Sequence, residues 1–310
     1  MPIEILDPAM ERIAAQDAEV EQLGEGYGGP TGPAEGPIWI HEKGHLLFSD
    51  IHRSNRHRFT PGEGITLDRA DTNNGNGMTR DRDGWLLTCH HFTRCVDREN
   101  LATGEIRMVA DAYQGMKLNR PNDVVVKSDG AIYFTDPPPK IPLTPPDHHP
   151  ELDVAGVYRV SPDLQRINRI VADFVNPNGL CFSPDEKILY INDSNAGRKL
   201  IKAYAVERNG MLDLGSERLV ADMKGDNRRG GPDGMKCDVE GNLYATGPGG
   251  IWVIAPDDRH IGTILTDSWP INLNWGDHDW RTLYFCGFST LNRIRLKIPG
   301  IPTPRGGVGG

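Results

Sequence analysis

Between Glu35 and Leu296 the apolar residues fall in short runs, too short for helices and divided by polar turns. Leu46-Leu47-Phe48, Val124-Val125-Val126, Ile188-Leu189-Tyr190-Ile191 and Leu283-Tyr284-Phe285 are examples. Each belongs to a unit with one layout. An Asn, Asp or Glu stands beside small or apolar residues, a short strand follows, then a turn that often holds Asp-Gly or Glu-Gly, then a second strand. The polar anchors are Glu35, Asn76, Asn122, Asn178, Asp233 and Asn274, spaced by 41, 46, 56, 55 and 41 residues. Hairpin repeats of this length predict a β-propeller with one four-stranded blade per repeat, hence an all-β chain of six blades. The remaining strands are expected at 56–59, 106–110, 156–160, 202–206, 251–255 and 291–296, with another near 218–221. A β-sandwich would not explain a polar anchor before every hairpin.

The chain ahead of the repeats reads differently. Asp7 can cap a helix, Pro8 suits its first position, and Met10, Ile13 and Ala14 form a weak apolar stripe, so a short N-terminal helical segment is expected. Residues 20–27 can continue as a strand. The reading is one domain over 1–310, with the propeller over 35–296 and an extension over 1–30 that could close the last blade. Gly24-Glu25-Gly26-Tyr27-Gly28-Gly29 matches a dinucleotide-binding fingerprint by letter, but Pro30 and Pro33 stand where a helix would have to begin, so it reads as a glycine-rich loop.

Composition agrees with many short strands joined by turns: 36 Gly and 24 Pro are more punctuation than a helical bundle tolerates. Lys and Arg total 34 against 43 Asp and Glu, a net charge of −9. That balance argues against nucleic acid or an anionic membrane as partner and suits a small-molecule substrate or a cation. No apolar run is long enough for a membrane span, and no signal peptide is visible, so a cytoplasmic location is expected. The five cysteines are widely spaced and lack a CxxC, which reads as a reduced set of buried thiols.

In a propeller the entry to each innermost strand points at the central channel, so the anchors would form a ring. All six carry side-chain oxygen, two as carboxylates and four as amides. Calcium takes six to eight oxygen ligands of this kind, and two carboxylates would neutralise a divalent ion. Zinc fits less well, because no His or Cys enters the ring. The competing reading treats each Asn-Gly or Asp-Gly as a turn former, but it does not explain the fixed place of the anchor in six hairpins.

Four stretches carry a family resemblance: Ala34-Glu35-Gly36-Pro37, Asn119-Arg120-Pro121-Asn122-Asp123, Asn176-Pro177-Asn178-Gly179-Leu180 and Gly231-Pro232-Asp233-Gly234-Met235. Together they resemble the signatures of the gluconolactonase and regucalcin (senescence marker protein) family, in its bacterial gluconolactonase-like branch. The resemblance implies a six-bladed propeller with one divalent metal, most often calcium, with zinc, manganese or magnesium as alternatives. It implies hydrolysis of a sugar lactone by metal-activated water. It also implies Glu35, Asn178 and Asp233 as metal ligands, with Asn122 beside the metal as ligand or substrate contact. Arg120 would hold substrate oxygens, Arg120 or Asn122 would stabilise the oxyanion of the tetrahedral intermediate, and Asp233 would be the general base. Asn76, His91 and Asp136 complete the candidate substrate contacts. The alternatives are the same fold and metal site used for phosphoester hydrolysis or lyase chemistry, and a non-enzymatic propeller that binds calcium or protein.

The chain departs from that family after Asp136, where Pro137-Pro138-Pro139-Lys140 replaces a run that usually presents an aromatic residue. The segment 137–153 holds seven prolines and the pair His148-His149. It is expected to be a lid that sets specificity, with its histidines in a solvated loop. His90 is expected to be peripheral to the channel. Asn192-Asp193-Ser194 is a glycosylation sequon by letter, discounted because it lies on an expected strand.

Overall fold

A hairpin with apolar residues on both faces needs cover on both sides. In the computed structural model, which describes residues 2–29, 32–140 and 149–304, neighbouring blades provide it. Six antiparallel sheets stand around a channel. Their innermost strands are Ala34–Ile40, Gly75–Arg80, Val124–Val126, Pro177–Phe182, Met235–Cys237 and Pro270–Gly276. Within each blade the strands run outward in chain order, except that the outermost strand of the fifth and of the sixth comes from the start of the chain. The fold is a six-bladed β-propeller.

Side-chain alternation explains why these strands look apolar throughout. In His45–Asp50, Leu46 and Phe48 pack with Tyr284 and Cys286 of the sixth blade, while Leu47 packs with Met78 and Leu86 of the second. In Ile188–Asp193, Leu189 and Ile191 join Tyr133 of the third blade, while Tyr190 joins Met235 and Leu243 of the fifth. Each blade interface thus has its own apolar cluster. Aromatic pairs bridge two blades in three of them: Tyr133 edge-on to Phe182 at 5.0 Å, Tyr244 edge-on to Trp275 at 5.0 Å, and Trp39 stacked on Tyr284 at 5.6 Å.

The start of the chain completes two blades. Val20–Glu25 pairs with Thr290–Arg295 as the outer strand of the sixth blade, and Ile3–Ile5 adds a fifth strand to the fifth blade. The N-terminal helix is a single turn, Met10–Ile13. A helix this short has little stability of its own. It persists because Met10 and Ile13 are buried in the cluster between blades five and six. Asp7 lies ahead of the turn, where its carboxylate accepts the Ala9 N–H. In the second blade the third strand is Cys95–Glu99, so the strand expected at 106–110 becomes the outermost. Cys89, Cys95, Cys181, Cys237 and Cys286 are buried free thiols. No helix among the described residues is long and apolar enough to cross a membrane.

Candidate active site

The anchors do not sit in hairpin turns. All but Asn274 sit at, or just ahead of, the starts of the innermost strands, and the first, second, fourth and sixth blades each carry a bulge in the pairing there. A bulge inserts a residue and re-aims the side chains beside it. The glycine after the anchor is there for close approach. A Cβ on Gly36 would stand 2.2 Å from the carbonyl oxygen of Asn76, and one on Gly179 would stand 2.0 Å from that of Asp233. Each inner strand therefore passes in contact with the next.

This register corrects the sixth anchor. The Gly234 N–H donates to the carbonyl of Ile271, as Gly77 donates to that of Asn122. The sixth position is thus Ile271, and the ring has five oxygen-bearing members. Asn274 lies three residues further on and lines a separate small cavity with Thr79, Val125 and Cys181, bordered by the C-terminal residues Ile301 and Pro304. In the third and sixth blades the glycine is replaced by Asp123 and Asn272. Both are buried side chains beneath the ring. Asn272 Nδ2 donates to Glu35 Oε2 at 2.9 Å, and Asp123 Oδ1 accepts the Val124 N–H.

One cavity of ≈ 370 Å³ gathers Glu35, Asn76, His91, Arg120, Asn122, Asn178 and Asp233. Asp233 is fixed through its backbone: its N–H donates to Thr246 Oγ1 at 2.8 Å and its carbonyl accepts from Asn192 Nδ2. Asn192, the sequon residue, is fully buried in the channel wall. Asn178 Nδ2 donates to Ser194 Oγ at 3.3 Å, and Asn76 Nδ2 meets His91 Nε2 at 2.7 Å. With the amide nitrogens so engaged, the oxygens are left over. Asn76 Oδ1, Asn122 Oδ1, Asn178 Oδ1 and Asp233 Oδ1 are buried without a hydrogen-bond partner among the described residues. Buried oxygens without partners are costly, and together they make a hard, oxygen-only donor set of the kind calcium takes. No group of three or more His, Cys, Asp or Glu able to hold a metal occurs among the described residues, so the set is mainly amide.

Charge is concentrated here. Burial, and then the charges of Asp233 and Asp123, push the Glu35 carboxyl well above the ordinary range. Burial and the Asp123 charge raise Asp233 to about 7, against the pull of Arg120 and Lys140. His91 is pushed well below its usual value by burial and then by Arg120, so it is neutral at pH 7. The Arg120 guanidinium is lowered to about 10 by burial, opposed by Asp136 and Asp233, and stays charged.

Asp136 is not a cavity residue. Its two oxygens accept the backbone N–H groups of Asn119 at 2.8 Å and Arg120 at 2.6 Å, so it staples the loop that presents Arg120. Asp193 does the same in the fourth blade for Val175 and Asn176. His90 lies outside the cavity, 2.9 Å from Asp97, with Nδ1 near the carbonyl of Thr72. Of the proline-rich segment, residues 141–148, His148 included, lie outside the described residues; His149 is exposed. Lys140, Lys199 and Trp269 also line the cavity. They stand on loops outside the repeat, where no periodicity marks them.

Residues 33–288 match the family model described as SMP-30/Gluconolactonase/LRE-like region. A gluconolactonase of Zymomonas mobilis is 31% identical over 285 residues, covering 86% of this chain and 79% of that protein. Among solved structures, a gluconolactonase from Xanthomonas campestris superposes with a TM-score of 0.85 at 31% identity, over 96% of this chain and 95% of that one. Regucalcin from Agrobacterium tumefaciens, a calcium-binding protein, has a TM-score of 0.74 at 19% identity over 93% and 97% of the two chains, a likeness of fold.

Proposed function

The chain belongs to the SMP-30/Gluconolactonase/LRE-like family, and from that premise we propose that it is a lactonase. It opens a sugar lactone by attack of water on the ring carbonyl, at a divalent cation held by Glu35, Asn178 and Asp233 with Asn122 beside them. The observation that carries the reading is the set of four buried, partnerless oxygens around Asp233 in one cavity with Glu35 and Arg120. Calcium is the preferred ion, since the donors are all oxygen. When bound, it would polarise the lactone carbonyl and acidify a water molecule.

The chain's own residues supply the rest. The Asp233 carboxylate, whose Oδ1 has no hydrogen-bond partner among the described residues, accepts the proton of the attacking water. As the carbonyl carbon becomes tetrahedral, negative charge grows on its oxygen. The Arg120 Nη groups carry no hydrogen bond among the described residues and can donate to it. Neutral His91 orients the Asn76 amide, whose oxygen has no partner among the described residues. Collapse of the intermediate breaks the ring C–O bond, and the proton on Asp233 is available to the leaving alkoxide. The products balance as one hydroxy acid from one lactone and one water.

Acid release at constant pH, from five- and six-membered sugar lactones with and without a chelator, tests the reading. Turnover that the chelator abolishes and calcium restores is expected. A panel without turnover, alongside hydrolysis of a phosphoester, would replace it with the phosphoesterase alternative.

A further inference from the structure

The cavity is acidic at its floor and basic at its mouth. Glu35 and Asp233 lie at the ring, where a divalent cation would offset both charges. Arg120, Lys140 and Lys199 line the same cavity. Among the described residues the Arg120 side chain donates once, from Nε to the Pro138 carbonyl at 3.1 Å. Its acidic neighbour Asp136 is already occupied by two backbone N–H groups. Among the described residues Lys199 Nζ reaches only a neutral acceptor, the Gly230 carbonyl at 3.1 Å. Its backbone is left-handed, with φ at 40°, a conformation that costs energy for a residue with a Cβ. Lys140 is exposed and has no hydrogen bond or ion pair among the described residues, and its charge acts on Asp233 and His91 within the cavity.

The contrast with the rest of the chain gives these cations meaning. Arg56 pairs with Asp68 and Glu99, Lys202 with Asp173 and Glu217, and Arg228 with Asp226 and Glu4. In a protein of net charge −9, carboxylates are in surplus, yet among the described residues none forms an ion pair with Lys140 or Lys199. Two unpaired ammonium groups and a guanidinium with free Nη donors over a concave site raise the local concentration of anions. A neutral lactone engages Arg120 through its carbonyl oxygen and leaves both ammonium groups without an anionic partner.

We propose that the preferred substrate is an anionic sugar lactone, whose carboxylate or phosphate is bound at the mouth by Lys140 and Lys199 while its lactone carbonyl faces the ring. The choice of lactone rests on the lactonase reading; the binding of an anion does not. The lysines act on the substituent, so they govern selectivity through KM.

Two measurements test this on the calcium-loaded full chain. The first compares kcat/KM for D-glucono-δ-lactone, a glucarolactone and 6-phosphogluconolactone in wild type and in Lys140→Met/Lys199→Met. At least one anionic lactone should be preferred by tenfold or more. The double variant should reduce that ratio at least tenfold, and added salt should erode it in wild type. The better of the carboxylated and phosphorylated substrates identifies the group. Lys140→Met alone, at an exposed side chain with no hydrogen bond or ion pair among the described residues, should move the ratio in the same direction and guards against misfolding at Lys199. The second is calorimetry with unreactive polyols. D-glucitol 6-phosphate or D-gluconate should bind at least tenfold more tightly than D-glucitol, and the double variant should lose the difference. Equal binding of charged and neutral polyols, or a ratio unchanged in the double variant, overturns the proposal. Absence of lactone turnover together with lysine-dependent anion binding would sink the lactonase reading and leave the anion site standing.

Discussion

Replacing Asp233 by Asn removes one negative charge from a buried group of three, and its effect on stability can be worked from the structure. The folded protein raises the Asp233 pKa from 3.8 to about 7 through burial and the Asp123 charge. A carboxyl raised on folding is a stability cost. Below pH 3.8 both folded and unfolded chains hold the proton and the cost is absent. As pH rises from 3.8 to 7 the unfolded chain releases its proton and the folded one keeps it, so stability falls, and above 7 the cost is constant. At about 1.4 kcal/mol per pH unit, most of this window lies between pH 5 and pH 8 and amounts to about 2–3 kcal/mol. In chelator, Asp233→Asn should therefore gain on wild type by about that much between pH 5 and pH 8. Saturating calcium should reverse the order at pH 8, because only wild type keeps the full charge to hold the ion. Urea unfolding of both proteins at the two pH values, with chelator and with calcium, measures this. A gap independent of pH in chelator would refute the electrostatic account of the ring.

Other outcomes follow from the same geometry. Asp136→Ala strips the partners from two buried N–H groups, each worth about 1–3 kcal/mol, and frees the Arg120 loop; lactone KM should rise severalfold while calcium affinity changes less than twofold. Gly179→Ala places a Cβ 2.0 Å from the Asp233 carbonyl; calcium affinity should fall at least tenfold by calorimetry, whereas Gly225→Ala, in open space, should match wild type. Deleting residues 2–25 removes the outer strand of the sixth blade and the buried Met10 and Ile13, each worth about 1.5–3 kcal/mol; the melting temperature should drop by more than any point variant causes.

The hairpin repeat was legible because the second strand of each blade is buried on both faces and so reads as an apolar run closed by a turn. Five anchors were legible because the sequence keeps a polar residue ahead of each run. The sixth misled because Asn274-Trp275-Gly276 imitates the pattern, while the true position, Ile271, carries no oxygen. One signal pointed to it: a proline precedes the anchor at Pro121, Pro177 and Pro232, and again at Pro270. Asp136 stood at the correct end of its strand, but its partners are backbone N–H groups brought near by a loop, which composition does not reveal. Asp123 and Asn272 were hidden for a related reason. Each replaces the glycine of the repeat, and only the closeness of neighbouring inner strands shows that their side chains must lie under the ring. Lys140, Lys199 and Trp269 come from loops whose course the periodicity does not fix.

The central claim is that one divalent ion on Glu35, Asn178 and Asp233 carries lactone hydrolysis. It is tested most directly by titrating calcium into chelator-stripped protein while bound calcium and acid release from a lactone are read on the same sample, for wild type and Glu35→Gln. The account predicts that activity rises in proportion to occupancy and saturates at one ion per chain, and that Glu35→Gln loses both together while staying folded. Full turnover in the stripped protein, or normal calcium binding and turnover in Glu35→Gln, would contradict it.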